Sequence, residues 1–407
     1  MSPVSNAVVV GAGPTGCFAA IELAKHGVDT TVFEEHSEIG LPSHCAGHLS
    51  IRSLKNLGLY SLPNNIIENT FSNATFYSPS GSRFSVHLKQ PVTCTLNREL
   101  FDKFLAEKAQ AAGARFRLNS RVSSLLVDNG TVVGINVEKA NNIEKVPAKI
   151  VVDAEGVGSR LLKETDLSNV SRKKLVYSVE AEIENVQNID RDTVEVFLGK
   201  DYASGFYAWI IPLLDETAKV GLATNVGNPK VLLQKLMAKH PVASKQFIRA
   251  RIRRITFHSI PLSGIIQKAY TDGFLAVGDA ASQVKPTTGG GVIFGLTCAQ
   301  IAADVASEAI NKSNVSSNFL QQYQKRCIDK LGFDFRVMLQ VRKFLDSLSD
   351  EKLDHAINVF NRLGVDKALS DVEEIDFQGR LFLQLLMKPA AIGAIAYFLL
   401  LYLSTNP

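Results

Sequence analysis

A glycine-rich segment near the start of the sequence has residue types and spacing suited to binding phosphate. The segment is Gly11-Ala12-Gly13-Pro14-Thr15-Gly16. Gly11 would permit a tight turn, Gly13 would let the backbone approach a pyrophosphate, and Gly16 would let the next helix pack against the preceding strand. The N-terminus of that helix would point backbone N–H groups and the positive end of its dipole at the phosphates. The segment therefore predicts a pyrophosphate site.

The elements around this loop are those that the chemistry needs. Ala7–Val10 is a short apolar run typical of a central parallel strand, and Cys17–His26 has the apolar spacing of a helix. Thr30–Phe33 predicts a second strand that ends at Glu34, near the expected distance of about 20 residues from the loop, where an acid can bind ribose hydroxyls. The order predicts a Rossmann-type βαβ unit. Glu34 alone does not separate FAD from NAD, because both carry an adenosine ribose.

Three later segments narrow the choice of dinucleotide. They are Ile150–Arg160, Gly273–Ala281 with its Gly278-Asp279 pair, and Lys285–Gly291, which opens a helix. Together with the first loop they resemble the flavoprotein superfamily of p-hydroxybenzoate hydroxylase, over residues 1 to about 310. The resemblance implies bound FAD, with Asp279 on its ribityl chain. Glu155-Gly156 stands where the superfamily usually has Asp-Gly.

The glycines before the last helix suit a flat ring for a physical reason as well. A run such as Gly289–Gly291 lets the backbone lie against a ring without clashes from Cβ atoms. The N-terminus of the following helix would then stabilise the negative charge of a reduced flavin.

Details of three segments resemble the geranylgeranyl reductase family, and most closely its archaeal members, which saturate the isoprenoid chains of ether lipids. They are Glu38–Gly47, Tyr207–Pro212 and Pro286–Gly291. Ile211 replaces a typical Phe, and His48 stands where members often have Gly. Thr93–Phe104 resembles the segment from which an Arg contacts the cofactor, here Arg98; the alternative is a solvated residue in the first turn of a helix capped by Asn97. The predicted FAD-binding residues are Gly11, Gly13, Thr15, Gly16, Glu34, Cys45, Ala46, His48, Arg98, Val122, Asp279, Gly290, Gly291 and Val292.

The resemblance implies that reduced flavin gives a hydride to one carbon of an isolated alkene while a proton reaches the other. An unactivated alkene must be held in a dry, apolar cavity for this reaction. Cys45, Tyr207 and Trp209 are the catalytic candidates, with the only tryptophan of the chain walling the cavity. The alternatives are a small buried hydrophobic residue for Cys45 and ordinary sheet core for the Tyr207–Pro212 strand. His44 is a weaker candidate for relaying a proton.

Two other classes of function use the same scaffold. A flavin monooxygenase would add oxygen to its substrate, and an assembly protein would bind flavin without catalysis; the intact Pro286–Gly291 loop argues against the second. No second glycine fingerprint for a nicotinamide cofactor follows. The electron donor is therefore left open between NAD(P)H and a ferredoxin.

The sequence predicts an α/β fold: a Rossmann-type FAD-binding domain, an interleaved antiparallel-sheet substrate domain and a helical C-terminal region. The predicted ranges are 1–70, 96–174 and 263–320 for the first, 71–95 and 175–262 for the second, and 321–407 for the third. Pro389–Leu403 carries no charge and would reach ~22 Å as a helix, short of the ~30 Å apolar core of a bilayer. It could be a core helix, a partly inserted membrane anchor or the wall of a lipid tunnel; peripheral membrane contact is the favoured interpretation.

Composition limits the other partners. A net charge of +4 argues against a nucleic-acid-coating surface. The five cysteines form no C-x-x-C pair, so neither a disulfide framework nor a metal site is predicted. No secretory signal is expected, and a reducing cytoplasm, with peripheral contact at the inner face of the cell membrane, is the expected location. A polyprenyl lipid is the expected substrate, and the sequence indicates no particular oligomeric state.

Overall fold

The computed structural model describes residues 5–139, 142–165, 167, 174–388, 393 and 397. Its contacts divide the chain into two compact units. The first unit comprises Met1–Ser43, Arg98–Lys174 and Pro261–Phe335, and the second comprises His44–Asn97, Leu175–Ile260 and Arg336–Pro407.

Both units mix strands and helices. Within the described residues the strands are β1 Ser5–Val10, β2 Thr30–Phe33, β3 His48–Ser50, β4 Ile67–Phe71, β5 Asn73–Tyr77, β6 Arg83–His87, β7 Thr93–Leu96, β8 Arg115–Arg117, β9 Val122–Asp128, β10 Thr131–Lys139, β11 Asn142–Asp153, β12 Leu175–Glu184, β13 Thr193–Phe197, β14 Ala208–Pro212, β15 Ala218–Thr224, β16 Arg251–Pro261, β17 Tyr270–Thr271 and β18 Phe274–Ala276. The α-helices are α1 Pro14–Lys25, α2 Ile51–Asn56, α3 Arg98–Ala111, α4 Lys200–Ala203, α5 Pro229–Lys239, α6 Ala243–Gln246, α7 Val292–Asn311, α8 Ser317–Ser347, α9 Asp350–Leu363, α10 Val365–Leu369 and α11 Gln378–Leu386.

The first unit is built on a largely parallel sheet with the order β17-β18-β11-β1-β2-β8. β1 pairs in parallel with both β2 and β11, and β11 pairs in parallel with β18. Helices α1 and α7 pack together, with a hydrogen bond of 2.9 Å between His26 and Asp304. This arrangement confirms the predicted α/β fold with a Rossmann-type core.

A hairpin extends this sheet at Asn129-Gly130, a dipeptide that by itself predicts a two-residue hairpin turn. β9 and β10 pair antiparallel across Asn129-Gly130, and β10 pairs with β11. Both turn residues have positive φ, 47° for Asn129 and 80° for Gly130, as a type I′ hairpin turn requires.

The second unit is built on a seven-stranded sheet and a three-stranded sheet. The larger has the order β16-β12-β15-β14-β13-β5-β6, and the smaller has the order β3-β7-β4. One face of the larger sheet forms an apolar core with α5 and α6, to which Val179, Ile210 and Val220 contribute. Asn228-Pro229 is a typical sequence for the start of a helix, and the Asn228 side chain caps α5. The opposite face of the same sheet carries Trp209 and Ile211.

The structure divides the chain differently from the predicted boundaries. Residues 44–70 belong to the second unit rather than to the predicted FAD-binding domain, because β3 and β4 both pair with β7. These pairings join residues that are distant in sequence, so no local pattern marks them. α8, most of which lies in the predicted C-terminal region, begins in the first unit and ends in the second.

The C-terminal helices α9, α10 and α11 follow α8 in the second unit. Of the apolar segment Pro389–Leu403, all but Gly393 and Tyr397 lies outside the described residues. The Tyr397 ring lies 5.8 Å from the His355 ring of α9, and Gly393 is exposed. In the described part of the chain, α7 is the helix long and apolar enough to cross a membrane, and it is mostly buried, as core helices are.

A buried histidine makes the stability of the second unit depend on pH. His240 is fully buried among the rings of Tyr77, Phe197 and Tyr202, and burial lowers its pKa below the ordinary 6.5. A histidine whose pKa is lower in the folded state than in the unfolded state stabilises the fold only while its ring is neutral. That contribution is lost as the pH falls below about 6.5, because the unfolded chain then binds the proton more readily.

We therefore expect the free energy of unfolding to fall between pH 7.5 and pH 5.5. In His240→Gln, part of this fall should disappear, although the variant is less stable at both pH values. Urea unfolding at the two values measures the difference. An equal fall in both proteins would show that His240 does not contribute.

Candidate functional site

Four parallel strands of the first unit bring the predicted cofactor motifs to one edge of its sheet. The order of these strands is β18-β11-β1-β2. β1 ends at Val10 before the glycine loop, β2 ends at Phe33 before Glu34, and β11 ends at Asp153. β18 leads into the Gly278-Asp279 turn. Ligands of open α/β sheets bind outside the carboxyl ends of the strands, so this edge is the expected cofactor site.

Each glycine of the first loop has the geometry that the sequence predicts. Gly11 has a φ of +97°, and a Cβ there would lie 2.6 Å from the Ala154 carbonyl oxygen. A Cβ on Gly16 would collide with the carbonyl oxygen of Gly11. Around Gly13, by contrast, no described atom lies within 4 Å of a Cβ position, and no side chain caps α1. The loop therefore packs tightly on its protein side and leaves room for a phosphate at the helix N-terminus.

The Glu34 carboxylate links the end of β2 to this loop. It accepts a hydrogen bond of 2.8 Å from the backbone N–H of Ala12 and one of 3.0 Å from that of His36. The His36 ring lies 2.6 Å from the same carboxylate. Glu34 is buried, and it is held beside the loop where an adenosine ribose would lie.

Thr15 connects the first loop to the Gly-Asp turn and to α7. A Cβ on Gly278 would lie 3.1 Å from Thr15 Oγ1, and a Cβ on Gly295 would lie 2.5 Å from the same atom. Both glycines therefore let the Thr15 side chain fit between the turn and the helix. The sequence analysis did not identify Gly295. Its signal was a glycine inside an apolar helix, which destabilises the helix by about 1 kcal/mol relative to alanine and so indicates that a close contact requires it.

The Gly-Asp turn and the loop before α7 meet at Asp279. A Cβ on Gly291 would lie 2.8 Å from Asp279 Oδ1, and Gly291 begins α7 without a side-chain cap. Asp279 is partly exposed between the buried Gly278 and Ala280. Val292 is the first residue of α7 and is also partly exposed. The uncapped N-terminus of α7 can thus stabilise negative charge placed before it.

A buried lysine lies on the glycine run. The Lys285 side chain is 8% exposed, and a Cβ on Gly290 would lie 2.7 Å from its Cε atom. The Gly290 backbone N–H donates to Thr288 Oγ1 at 3.4 Å. Gly290 therefore allows the loop to close over the lysine.

A hydrogen-bonded chain of buried side chains supports the Gly-Asp turn from behind. Gln283 accepts from the Gly278 N–H at 2.7 Å and donates to the Tyr323 hydroxyl at 2.6 Å. The Tyr323 hydroxyl donates to the carbonyl oxygen of Ala276 at 2.8 Å. Glu155 has a comparable role in the β11 turn, where it accepts from the Leu161 N–H at 2.8 Å.

The guanidinium of Arg98 pairs with Asp102, a residue that the sequence analysis did not identify. Its guanidinium donates to both oxygens of Asp102, at 3.1 and 2.9 Å, and both side chains are largely buried. Burial raises the pKa of Asp102, and the Arg98 charge opposes that rise. Arg98 is therefore not a solvated residue of the first helical turn. The spacing of four residues between Arg98 and Asp102 on one helix was the signal that could have identified the pair.

In the second unit, the segment with Cys45 is held by three hydrogen bonds. The Gly47 N–H donates to Cys45 Sγ at 3.4 Å, and the Gly47 carbonyl accepts from Leu96 at 2.9 Å. Lys219 donates to the Ala46 carbonyl at 3.1 Å. Cys45 is partly exposed, whereas the other four cysteines are buried. The description as a small buried hydrophobic residue therefore fits those four and not Cys45.

Ala46 and the Tyr207–Pro212 segment meet on the non-core face of the seven-stranded sheet. Ala46 and Trp209 pack against an apolar cluster formed by Phe71, Val194 and Ile211. The Tyr207 ring lies 5.8 Å from Trp209 in an edge-on contact, and burial raises the pKa of Tyr207. Trp209 is thus not part of the core face, which is formed by its neighbours Ala208 and Ile210.

The glycine and helix geometry of the first unit fits FAD. Open space at Gly13 and uncapped N-termini at α1 and α7 suit its phosphates and the reduced ring, while Glu34 suits its ribose. The FAD binding domain family model matches residues 5–328. Digeranylgeranylglycerophospholipid reductase 2 of Methanopyrus kandleri is 33% identical over 88% of this chain and 90% of its own length. The corresponding reductase of Methanocaldococcus jannaschii is 34% identical over 87% and 90%.

The chain belongs to the digeranylgeranylglycerophospholipid reductase family. One solved structure agrees with this assignment. A geranylgeranyl bacteriochlorophyll reductase-like protein of Thermoplasma acidophilum has a TM-score of 0.86 and 25% identity, covering 97% of this chain and 99% of its own. A flavin-dependent brominase has a TM-score of 0.70 at 19% identity, with coverage of 89% and 92%, and shows the shared fold alone.

In this family member, the predicted cofactor residues fall into two groups. The strand-end edge gathers Gly11, Gly13, Thr15, Gly16, Glu34, Asp279, Gly290, Gly291 and Val292. Arg98 begins α3 in the first unit, and Val122 is buried at the start of β9, where it pairs with Val137. Cys45, Ala46 and His48 belong to the second unit, where the His48 ring contacts Phe71 edge-on at 5.5 Å. Their roles toward FAD stay predictions.

Glu34 provides a direct test of the cofactor site. We expect Glu34→Ala to raise the FAD dissociation constant at least about tenfold, the scale of a lost hydrogen bond to a charged group. Glu34→Gln keeps an oxygen for the Ala12 N–H and should lose less stability than Glu34→Ala. Equilibrium dialysis against FAD and thermal unfolding measure the two effects. Unchanged FAD affinity in both variants would contradict the assignment of Glu34.

Proposed function

We propose that this protein reduces isolated C=C bonds in the geranylgeranyl chains of a digeranylgeranylglycerophospholipid. The observation that carries the proposal is the match to reductases of that name over most of both chains. The intact strand-end edge for FAD supports it. The names of the relatives favour reduction over the oxygen-adding alternative.

Bound FAD, when reduced, supplies the hydride for the alkene. The loops at the carboxyl ends of β1, β2 and β18 would hold the cofactor, with Glu34 toward its ribose and Asp279 toward its ribityl chain. The apolar cluster around Trp209 and Ile211 offers the alkene a surface of low polarity. Exclusion of water there favours charge transfer to an unactivated alkene and suppresses side reactions.

The electron donor is a separate part of the proposal. The described glycine loop serves one dinucleotide, and the sequence contains no second fingerprint of that kind. We infer that NAD(P)H or a ferredoxin reduces the bound flavin. Anaerobic reduction of the holoenzyme by each donor in turn tests which of them is used.

The proposed reaction is tested by analysis of its product. Holoenzyme, a chemical reductant and the unsaturated lipid should give products that gain two hydrogens per double bond and no oxygen. Mass spectrometry under isotopically labelled oxygen distinguishes this result from oxygenation. Incorporation of the labelled oxygen would support a monooxygenase instead.

Cys45 is the proposed reactive side chain beside the substrate, because it is partly exposed and its segment is held at Ala46 and Gly47. We expect Cys45→Ala to keep FAD and lower the rate of alkene reduction at least about tenfold. Cys94→Ala, a buried cysteine of the same unit, is the control and should keep the wild-type rate per folded molecule. Wild-type activity in Cys45→Ala would show that this cysteine is structural.

Peripheral contact with the membrane is the proposed setting, and among the described residues the exposed apolar side chains of α11 support it. Phe382, Leu383 and Met387 on and just after this helix are 36%, 50% and 85% exposed. Docking of the apolar surface of α11 at the bilayer would shorten the distance that a polyprenyl chain of the substrate must move from the membrane to the enzyme.

Replacing Phe382, Leu383 and Met387 with serine should reduce sedimentation with vesicles of anionic phospholipid several-fold while leaving the fold intact. Val231→Ser combined with Ile248→Ser removes exposed apolar side chains elsewhere in the second unit and is the control. Undiminished vesicle binding by the triple variant would contradict the role of α11.

A further inference from the structure

The seven-stranded sheet carries a partly buried carboxyl group, that of Glu180, on its non-core face. Glu180 lies on β12, and its direct partner on β15 is Gly221, which in turn pairs with Trp209 on β14. Residues paired directly across strands place their side chains on the same face. Glu180, Gly221 and Trp209 therefore form a row on the non-core face, the one that carries the apolar cluster with Ile211.

Gly221 brings the indole of Trp209 toward the carboxyl group. A Cβ on Gly221 would lie 2.5 Å from Cζ2 and 2.7 Å from Cε2 of that ring. The indole thus occupies the space above the glycine. Its N–H acts on the Glu180 carboxyl closely enough to lower the carboxyl pKa, but without the geometry of a full hydrogen bond.

The Glu180 Oε2 atom is enclosed, and it has no hydrogen-bond partner among the described residues; the same holds for Trp209 Nε1. The neighbouring ammonium of Lys219 does not satisfy the carboxyl. Its hydrogen bonds go to Glu68 at 2.5 Å, to the Ala46 carbonyl at 3.1 Å and to the Leu96 carbonyl at 3.3 Å. An ammonium has three N–H donors, so Lys219 has none left for Glu180.

The charges around Glu180 leave it able to hold a proton near neutral pH. Burial raises its pKa to about 7, the carboxylates of Glu182 and Glu68 add to the rise, and Lys219 and Trp209 oppose it. On the adjacent strand β16, Arg253 pairs with Glu184 at 3.1 Å, and the His258 ring stacks on His44. The carboxyl can therefore exchange its proton in the range where an enzyme works.

We propose that Glu180 is the acid that delivers the proton to the alkene, with the Trp209 indole packed beside the carboxyl and in contact with the polyprenyl chain. This inference rests on the proposed function. The O–H bond of Glu180 breaks as a C–H bond forms at one alkene carbon, and the other carbon takes the hydride from reduced FAD. The resulting carboxylate regains a proton from water, so each turnover consumes one hydride and one proton. An acid at the edge of an apolar surface is the arrangement that this protonation needs.

The test compares Glu180→Gln with Glu182→Gln in holoenzyme reduced beforehand and mixed anaerobically with the lipid. Glu182 lies on the same face of the same strand, opposite Lys219, and is the matched control. In the wild type, the single-turnover rate should fall as pH rises through about 7. In Glu182→Gln the same fall should occur at a somewhat lower pH, because the Glu182 carboxylate adds to the rise of the Glu180 pKa. In Glu180→Gln the rate should be lower by about a hundredfold or more, with no pH dependence near neutrality, because a general acid contributes on that scale.

Trp209 provides a readout that does not depend on turnover, since it is the only tryptophan in the chain. Its fluorescence in the holoenzyme should change with pH around 7 in the wild type and at a somewhat lower pH in Glu182→Gln, and should not change in Glu180→Gln. Should Glu180→Gln fail to fold, Glu180→Asp keeps an acid and is expected to turn over slowly with the pH dependence retained.

The outcomes separate the two proposals. A wild-type rate and pH profile in Glu180→Gln, or the same fluorescence titration in that variant, would overturn the role of Glu180 while leaving lipid reduction in place. A pH-independent rate in Glu180→Asp would overturn it as well. A wild-type protein that does not reduce the lipid would refute the proposed function itself, and the role of Glu180 with it.

Discussion

The parallel pairing of β18, β11, β1 and β2 is the constraint on which the cofactor site depends. Because these strands run in one direction, their carboxyl ends place the glycine loop, Glu34, the β11 turn and the Gly-Asp turn along one edge. The fit is close: Gly11 lies against Ala154, Gly16 lies against Gly11, and Gly278 lies against Thr15. A side chain at any of these glycines would separate two of the turns and move the backbone N–H groups away from the phosphates.

In the second unit, Lys219 has a comparable organising role. Its three hydrogen bonds join β15 to Glu68 of β4, to Leu96 of β7 and to the segment that carries Cys45 and Ala46. A buried ammonium is stable only when its donors are satisfied, so this arrangement fixes the Ala46 backbone beside the apolar cluster. It also leaves the nearby Glu180 carboxyl without a hydrogen-bonding cation, which keeps that group ready to bind a proton.

Local sequence patterns predicted the fold where its contacts are local. The βαβ unit, the Asn129-Gly130 hairpin and the Asn228 cap all follow from short segments, and the structure confirms them. The assignment of residues 44–70 differed because β3 and β4 find their partner β7 far along the chain. The alternation of charged and apolar residues in β12 shows a polar face, but only the register across β15 and β14 brings Glu180 next to Trp209.

The reaction of the reduced flavin with the lipid in the absence of oxygen tests the lipid reductase activity most directly. Holoenzyme reduced to completion should regain the absorbance of oxidised flavin when the digeranylgeranylglycerophospholipid is added, and not when the fully saturated lipid is added. The flavin regained should equal the double bonds reduced. A flavin that stays reduced with the unsaturated lipid and reoxidises only on admission of oxygen would contradict the assignment of this protein as a lipid reductase.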